Sequence, residues 1–244
     1  MKSSNLTSPE TPLYRAVQQR MLEALARGEW GSGEVIPSEK RLCERFGVSI
    51  GTLRKALDGL VSNHILIRHQ GLGTFVAAHD RPRQFFQFFN FAPHEGSRTY
   101  PEVKLLQFSR SSADRLISEK LRVKRGSELR KIRNLLLLDG RPAIVDNIAL
   151  PASLFGELTE TMIRDRPSTL YSLYAERFGV NIIRIDERVR ANVASATHAR
   201  LLNLTPGAPI LEVRRMAFSF NDLPVEWRIS RVDASRYEYV HRDA

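Results

Sequence analysis

Two stretches of this 244-residue chain run through the same order of elements, and that repetition constrains the fold more than any other feature. They are "ADRLISEKLRVKRGSELRKIRNLLLLDGRPAI", from Ala113, and "ASATHARLLNLTPGAPILEVRRMAFSFNDLPVE", from Ala194. Each reads as a helix, a glycine (Gly126, Gly207), a long β-prone strand, and then a turn closed by a proline. The turns are Asp139-Gly140-Arg141-Pro142 and Asn221-Asp222-Leu223-Pro224, a composition suited to hairpins. The glycines are 81 residues apart and the prolines 82. Between the copies lie a helix around Thr169–Phe178, stopped by Gly179, and a strand around Ile182–Ala191. Helices interleaved with long hairpins predict an α+β domain on an antiparallel sheet. Such a duplication frames a cleft between its halves.

The N-terminal third follows a different period. Leu13, Val17, Met21 and Leu25 recur every four residues after Thr11-Pro12, and Arg27-Gly28 stops that helix. A second helix is expected in "IPSEKRLCERFG", with Ser38 as its N-cap and Gly47 at its end. A third runs from Ser49 to about Asn63, with Leu53, Ala56, Leu57 and Leu60 as its apolar stripe and Gly51, Lys55 and Asp58 opposite. "ILIRHQGLGTFVA" then gives two short β runs around a Gly71-Leu72-Gly73 tip. Three helices and a two-stranded wing make a domain spanning 11–78. A tight corner between two short helices is one way to offer the start of the second helix to the major groove. Gly51 keeps bulk low there, and Arg54 reaches a guanine edge or a phosphate. Amides around Ser49 suit a phosphate oxygen, and the Gly71–Gly73 tip lets backbone approach DNA closely. The competing reading is a helical corner used only for packing.

Residues 79–84 read as a linker, and the "FFQFFNF" that follows is too apolar to be free, so it is expected to dock on the second domain, residues 85–244. Net charge is +10. Residues 1–80 hold 10 Lys/Arg against 8 Asp/Glu and residues 81–244 hold 27 against 19, so bulk charge does not single out the helical domain. DNA, an anionic ligand and a solvated surface all remain open on charge alone. The longest aliphatic run is the four leucines Leu135–Leu138, no membrane span, and the opening "MKSSNLTSPETP" lacks the apolar core of a signal peptide. Cys43 is the single cysteine. A soluble protein of the reducing cytoplasm, without a membrane partner, is expected.

The stretch "IPSEKRLCERFGVSIGTLRKALDGLVSNHILIRHQGLGTFV" closely resembles the N-terminal pattern of the GntR family of bacterial winged-helix repressors, in both spacing and wing. By position the resemblance implies DNA contacts from Lys40, Ser49, Thr52 and Arg54, with Gln70 and Gly71 on the wing. Ile50 stands where the family usually has arginine, which removes a guanine-reading fork and leaves a group suited to a thymine methyl. The resemblance implies a homodimer on a double-stranded operator.

The remainder resembles the UTRA effector domain of the HutC subfamily, with a chorismate-lyase-like fold, through "LLDGRP", "PSTLYSLYAERFGV", "LTPGAPILEVRR" and "LPVEWR". An all-helical effector domain fits poorly, as does a metal site: none of the six histidines lies between His94 and His198. The resemblance implies a pocket drawn from Asp146, Thr169, Tyr171, Glu226 and Arg228, with Asn90 and Asn134 nearby. Tyr171 as a core residue, Arg133 or Arg228 as a strand-face ion pair, and Asp146 as a turn cap are the bland alternatives. Relatives sensing sugar phosphates carry Arg-x-Arg before the Asp-Gly turn and Ser-Phe-Thr near the domain start. Here those places hold Asn134-Leu135-Leu136 and Asn90-Phe91-Ala92, which deletes the donors a phosphate dianion needs. A small organic acid or polar metabolite, held partly by Arg133 or Arg228, is therefore expected, with no cofactor. A lyase-like enzyme is the alternative, but no nucleophile–base pair, metal spacing or phosphate loop supports it.

Overall fold

A computed structural model describes residues 12–31, 33–62, 65–77, 88–97, 99–166 and 169–240. The chain divides into two compact units, Met1–Ala78 and His79–Ala244. The expected linker and the first half of "FFQFFNF" lie outside the described residues.

In the first unit α1 (Leu13–Ala26), α2 (Glu39–Phe46) and α3 (Ile50–Ser62) precede a hairpin of β1 (Leu66–His69) and β2 (Gly73–Val76). The apolar stripes meet in one core: Val17, Met21 and Leu25 from α1, Leu42 and Phe46 from α2, Leu53, Leu57 and Leu60 from α3, and Leu66 and Val76 from the wing are all buried. Leu13, counted in the α1 stripe, is instead exposed at the helix start. Gly47 takes φ 67°, a left-handed conformation that ends α2 and turns the chain into α3. Ser38 precedes α2, yet its side chain caps nothing; only its carbonyl enters the helix, accepting from the Leu42 amide. Ser49 does cap: its hydroxyl accepts from the Thr52 amide at 3.3 Å.

The second unit is a six-stranded antiparallel sheet with the order β4-β5-β6-β9-β8-β7. Its strands are β4 (Glu102–Ser112), β5 (Glu128–Leu138), β6 (Arg141–Pro151), β7 (Arg184–Val193), β8 (Pro209–Ser219) and β9 (Leu223–Asp233). The repeat is structural. α4 (Arg115–Leu121) follows β4 as α8 (Ala196–Leu202) follows β7. The offset grows from 81 to 82 at the second hairpin. Leu138 pairs with Arg141 around two residues, whereas Ser219 pairs with Leu223 around three, and the additional one, Phe220, buries its ring. The pairing of Asn147 with Ile229, 82 residues apart, puts the pseudo-twofold axis between β6 and β9.

One face of the sheet carries α4 and α8, each packed mainly on the other half: Ile117 and Leu121 join Met216 and Trp227, while Ala199 and Leu202 join Val145. The opposite face is covered by α5 (Ala152–Phe155), α6 (Glu160–Arg164) and α7 (Leu170–Phe178), whose Phe155, Ile163 and Tyr174 are fully buried. Beside them runs a strap, residues 88–93, that ends in β3 (Phe91–Pro93) and pairs with β10 (Tyr237–Tyr239). Phe89 and Phe91 are buried against Leu136, Ile144 and Val213, so the described part of the aromatic run docks as expected.

Candidate functional site

In the first unit, Ile50, Gly51, Arg54 and Lys55 lie on the exposed side of α3, away from the buried leucines. A Cβ added to Gly51 would meet nothing within 4 Å, so that end of the helix is open to a closely approaching partner. Thr52 is half-buried, its hydroxyl 3.0 Å from that of Ser49. A surface groove between the start of α2 and the wing is lined by Lys40, Gln70, Gly71 and Gly73 together with Glu39 and Arg68. Arg54 reaches its rim, donating to Glu39 at 2.9 Å. That exposed pair contributes under about 1 kcal/mol, so a phosphate or guanine can displace the carboxylate. Gly71 and Gly73 have φ 75° and 117°, conformations that favour glycine and make the wing tip tight. The tip thrusts out Leu72, 74% exposed, a residue to which the sequence alone assigned no role.

The second unit holds a cavity of about 380 Å³ between the sheet, α7 and the strap. Asn134, Asp146, Thr169, Tyr171 and Arg228 line it, five of the expected residues. Glu226 sits behind them with no exposed surface. It accepts from Tyr171 (3.0 Å), Tyr174 (2.9 Å) and the Arg228 Nε (2.9 Å). Arg228 also donates to Asp146 at 3.2 Å, and Asp146 accepts from Ser230 at 2.6 Å. The Thr169 hydroxyl caps α7, accepting from the Ser172 amide at 3.2 Å. Burial pushes the Tyr171 hydroxyl up to about 12, helped by Glu226, and pushes Tyr174 well above its ordinary value. Burial opposes the Arg228 charge, but Glu226, with Tyr171 and Asp146, more than restores it. These groups hold their protons across the neutral range.

Two expectations are corrected. Arg133 is not in the cavity: it neighbours Asn134 on β5, and successive strand residues face opposite ways. It lies on the α4–α8 face, donating to Asn147 at 3.0 Å. Asn90 does not line the cavity either. Its amide donates to Glu187 (3.0 Å) and Tyr239 (3.1 Å), behind the wall. Three arginines that line the cavity were missed: Arg164, Arg166 and Arg215. Arg215 is buried, paired with Glu187 at 2.7 Å, and also donates to the Phe88 carbonyl. One side chain thus forms cavity wall and holds the strap. Its position could have been found from the repeat, since Arg215 lies 81 residues after Asn134.

Among the described residues no group of His, Cys, Asp and Glu could hold a metal ion, and no helix is long and apolar enough to cross a membrane.

Comparison with known proteins agrees with both units. Residues 13–76 match the bacterial regulatory proteins of the gntR family, and residues 97–238 match the UTRA domain. A probable fructoselysine utilization operon transcriptional repressor of Escherichia coli (strain K12) is 32% identical over 87% of each chain. The mannosyl-D-glycerate transport/metabolism system repressor MngR of the same strain is 30% identical over 94% of this chain and 95% of its own. The ligand-binding domain of a GntR-family regulator from Bordetella bronchiseptica superposes with a TM-score of 0.63 at 31% identity, over 65% of this chain and 98% of its own. With a helical corner and wing in one unit and a duplicated sheet lining a cavity in the other, the chain belongs to the gntR family of bacterial regulatory proteins, in the branch that carries a UTRA domain.

Proposed function

We propose that this regulator is a repressor that binds a near-palindromic operator as a homodimer and leaves it when a small polar metabolite fills the UTRA cavity. Lys40, Ser49, Ile50, Gly51, Thr52 and Arg54 supply the major-groove and phosphate contacts. Gln70, Gly71 and Gly73, with Leu72 at the tip, bring the wing against the minor groove. The relatives named as repressors support the direction of regulation. A two-fold protein requires two matching half-sites.

One observation carries the ligand's role. Arg215 lines the cavity and holds the Phe88 carbonyl, and Phe88 opens the described strap that leads back to the helical unit. A ligand that engages Arg215 therefore competes with the bond that fixes the strap. It shifts DNA affinity in so far as it binds the two strap positions unequally. No turnover is assigned to the cavity: Tyr171 keeps its proton, and Asp146 and Glu226 already accept from hydroxyl and guanidinium donors, which leaves neither placed as a base beside a nucleophile.

The test is a gel-shift titration on the operator returned by selection from a random duplex library. A symmetric site is expected, with an affinity on the order of 10⁻⁸ M and a strong salt dependence. Arg54→Ala should cost about 1–3 kcal/mol for each base edge the side chain no longer reaches, and Ile50→Arg should move the preferred base towards guanine. An asymmetric or unspecific selected pool rejects the dimeric reading. Lengthening residues 79–84 with glycines and serines should preserve ligand binding and weaken its effect on DNA.

A further inference from the structure

The cavity's own hydrogen bonds and charges specify its ligand more narrowly than polarity does. On the floor, Asp146 shares the single guanidinium of Arg228 with Glu226 behind it. Arg215 is matched by Glu187. The floor, taken with Glu226 and Glu187 behind it, therefore carries one carboxylate more than it has guanidiniums. At the side, Arg164 pairs with Glu160. Arg166 has no carboxylate partner among the described residues: one guanidinium nitrogen donates to the Ile163 carbonyl, and its Nε is buried without any partner. Opposite in kind, the Asn134 Oδ1 is a buried acceptor without a partner. Asn134 stands directly across from Asp146 in the β5–β6 pairing, so two acceptors lie side by side. Burial and the nearby Arg228 both hold the Arg166 guanidinium below its ordinary value, as befits a cation with no counter-ion. A half-buried guanidinium with no counter-ion and a buried orphaned acceptor are each costly unless something completes them.

Resting on the reading of this cavity as the effector site, we infer that its ligand carries a carboxylate and a protonated amine, the carboxylate seated on Arg166 and the amine donating to Asn134 and Asp146. The chemistry disfavours the other classes. A neutral polyol leaves Arg166 without a counter-ion. A phosphate dianion meets one uncommitted guanidinium and a floor with excess negative charge, whereas a carboxylate matches a single arginine fork. A monoanion without an amine leaves the Asn134 acceptor unfilled.

The experiment uses the full-length protein with four probes: fructoselysine (carboxylate and amine), mannosylglycerate (carboxylate only), a hexose phosphate and maltose. Calorimetry gives affinities for the wild type, Arg166→Gln and Arg166→Lys, with unliganded melting curves confirming that each variant is folded. Fructoselysine is expected to bind most tightly, to weaken by about tenfold or more in Arg166→Gln, and to be largely restored in Arg166→Lys. Tighter binding of any other probe, or fructoselysine binding unchanged by Arg166→Gln, overturns the inference and leaves the effector reading intact. Binding of none of the four also overturns it. The effector reading falls only if, in addition, no metabolite that releases the protein from its operator binds in the cavity.

Discussion

The two halves of the UTRA sheet share a backbone and differ in what they put on it. Both cap their helix with an oxygen side chain, Asp114 on the Ile117 amide and Ser195 on the His198 amide. Both end that helix on a left-handed residue, Arg122 or Asn203. Both slip register by one residue before the hairpin, at Leu136/Leu137 and Ala217/Phe218. Across three strands, however, the first half presents Leu105, Asn134 and Asp146, and the second presents Glu187, Arg215 and Arg228 at the matching positions. Duplication set the positions, and divergence filled one row with two neutral groups and an acid and the other with an acid and two guanidiniums. The axis passes between the rows, so the cavity receives both signs of charge from one repeated motif.

The largest difference between the rows should appear on truncating their last members. Arg228→Met leaves Glu226 and Asp146 both buried without their cation, a change expected to cost about 3–5 kcal/mol. Asp146→Leu leaves Arg228 still bound to Glu226 and orphans one donor each on Arg228 and Ser230, at about 1–3 kcal/mol. Urea unfolding monitored through the second unit measures both. Equal losses would break the picture of a row held together by one arginine.

Next comes pH. Burial raises the Glu187 carboxyl, but Arg215, the Tyr239 hydroxyl and the Asn90 amide outweigh it and leave the group below its ordinary value. A carboxyl depressed in the folded state stabilises above its unfolded value, and that stability is lost as pH falls through the folded value. Glu187→Gln should therefore flatten the acid limb of stability against pH, while Leu105→Gln at the matching position should leave its slope alone. An unchanged slope in Glu187→Gln would show that the pair does not titrate with folding.

What was legible in the sequence follows from how local each signal is. The helical corner is set by residues within one or two turns, Gly47 and Ser49 above all, so it could be read directly. The sheet is not local, yet its repeated glycines and prolines disclosed the topology. The cavity was half legible. Asp146, Tyr171 and Arg228 were placed through resemblance, but Arg133 was assigned alongside Asn134 although strand alternation forbids neighbours from sharing a face. The same alternation, joined to the offset of 81, points to Arg215. Arg166 had no such signal, because it follows α6 in irregular chain with no repeat partner.

The hairpins offer a smaller contrast. Gly140 and Asp222 occupy matching turn positions, at φ 71° and 53°. Gly140→Ala should cost about 1–2 kcal/mol, since a Cβ is disfavoured there. Asp222→Gly relieves the same strain and removes only an exposed 3.0 Å pair with Arg184, so it should be close to neutral. A large loss of stability in Asp222→Gly would mean that its side-chain pair with Arg184 holds the second turn.

The helix caps should differ least. Asp114 and Ser195 bond the third amide beyond them, at 2.8 and 3.3 Å, and each alanine variant should cost about 1 kcal/mol. Their chemistry separates them further. The Asp114 carboxylate also faces the positive end of α4, a contribution of about 0.3–1 kcal/mol that salt screens. The Ser195 hydroxyl has no charge to screen; it lies 2.7 Å from the His198 Nδ1 instead. Asp114→Asn keeps an acceptor and removes the charge, so it should recover most of what Asp114→Ala loses at high salt and less of it at low salt. Ser195→Ala should cost the same at both. If raising the salt fails to close the gap between Asp114→Asn and the wild type, the advantage of the carboxylate lies in its hydrogen bond and not in a screened charge, and the two caps differ only in the strength of that bond.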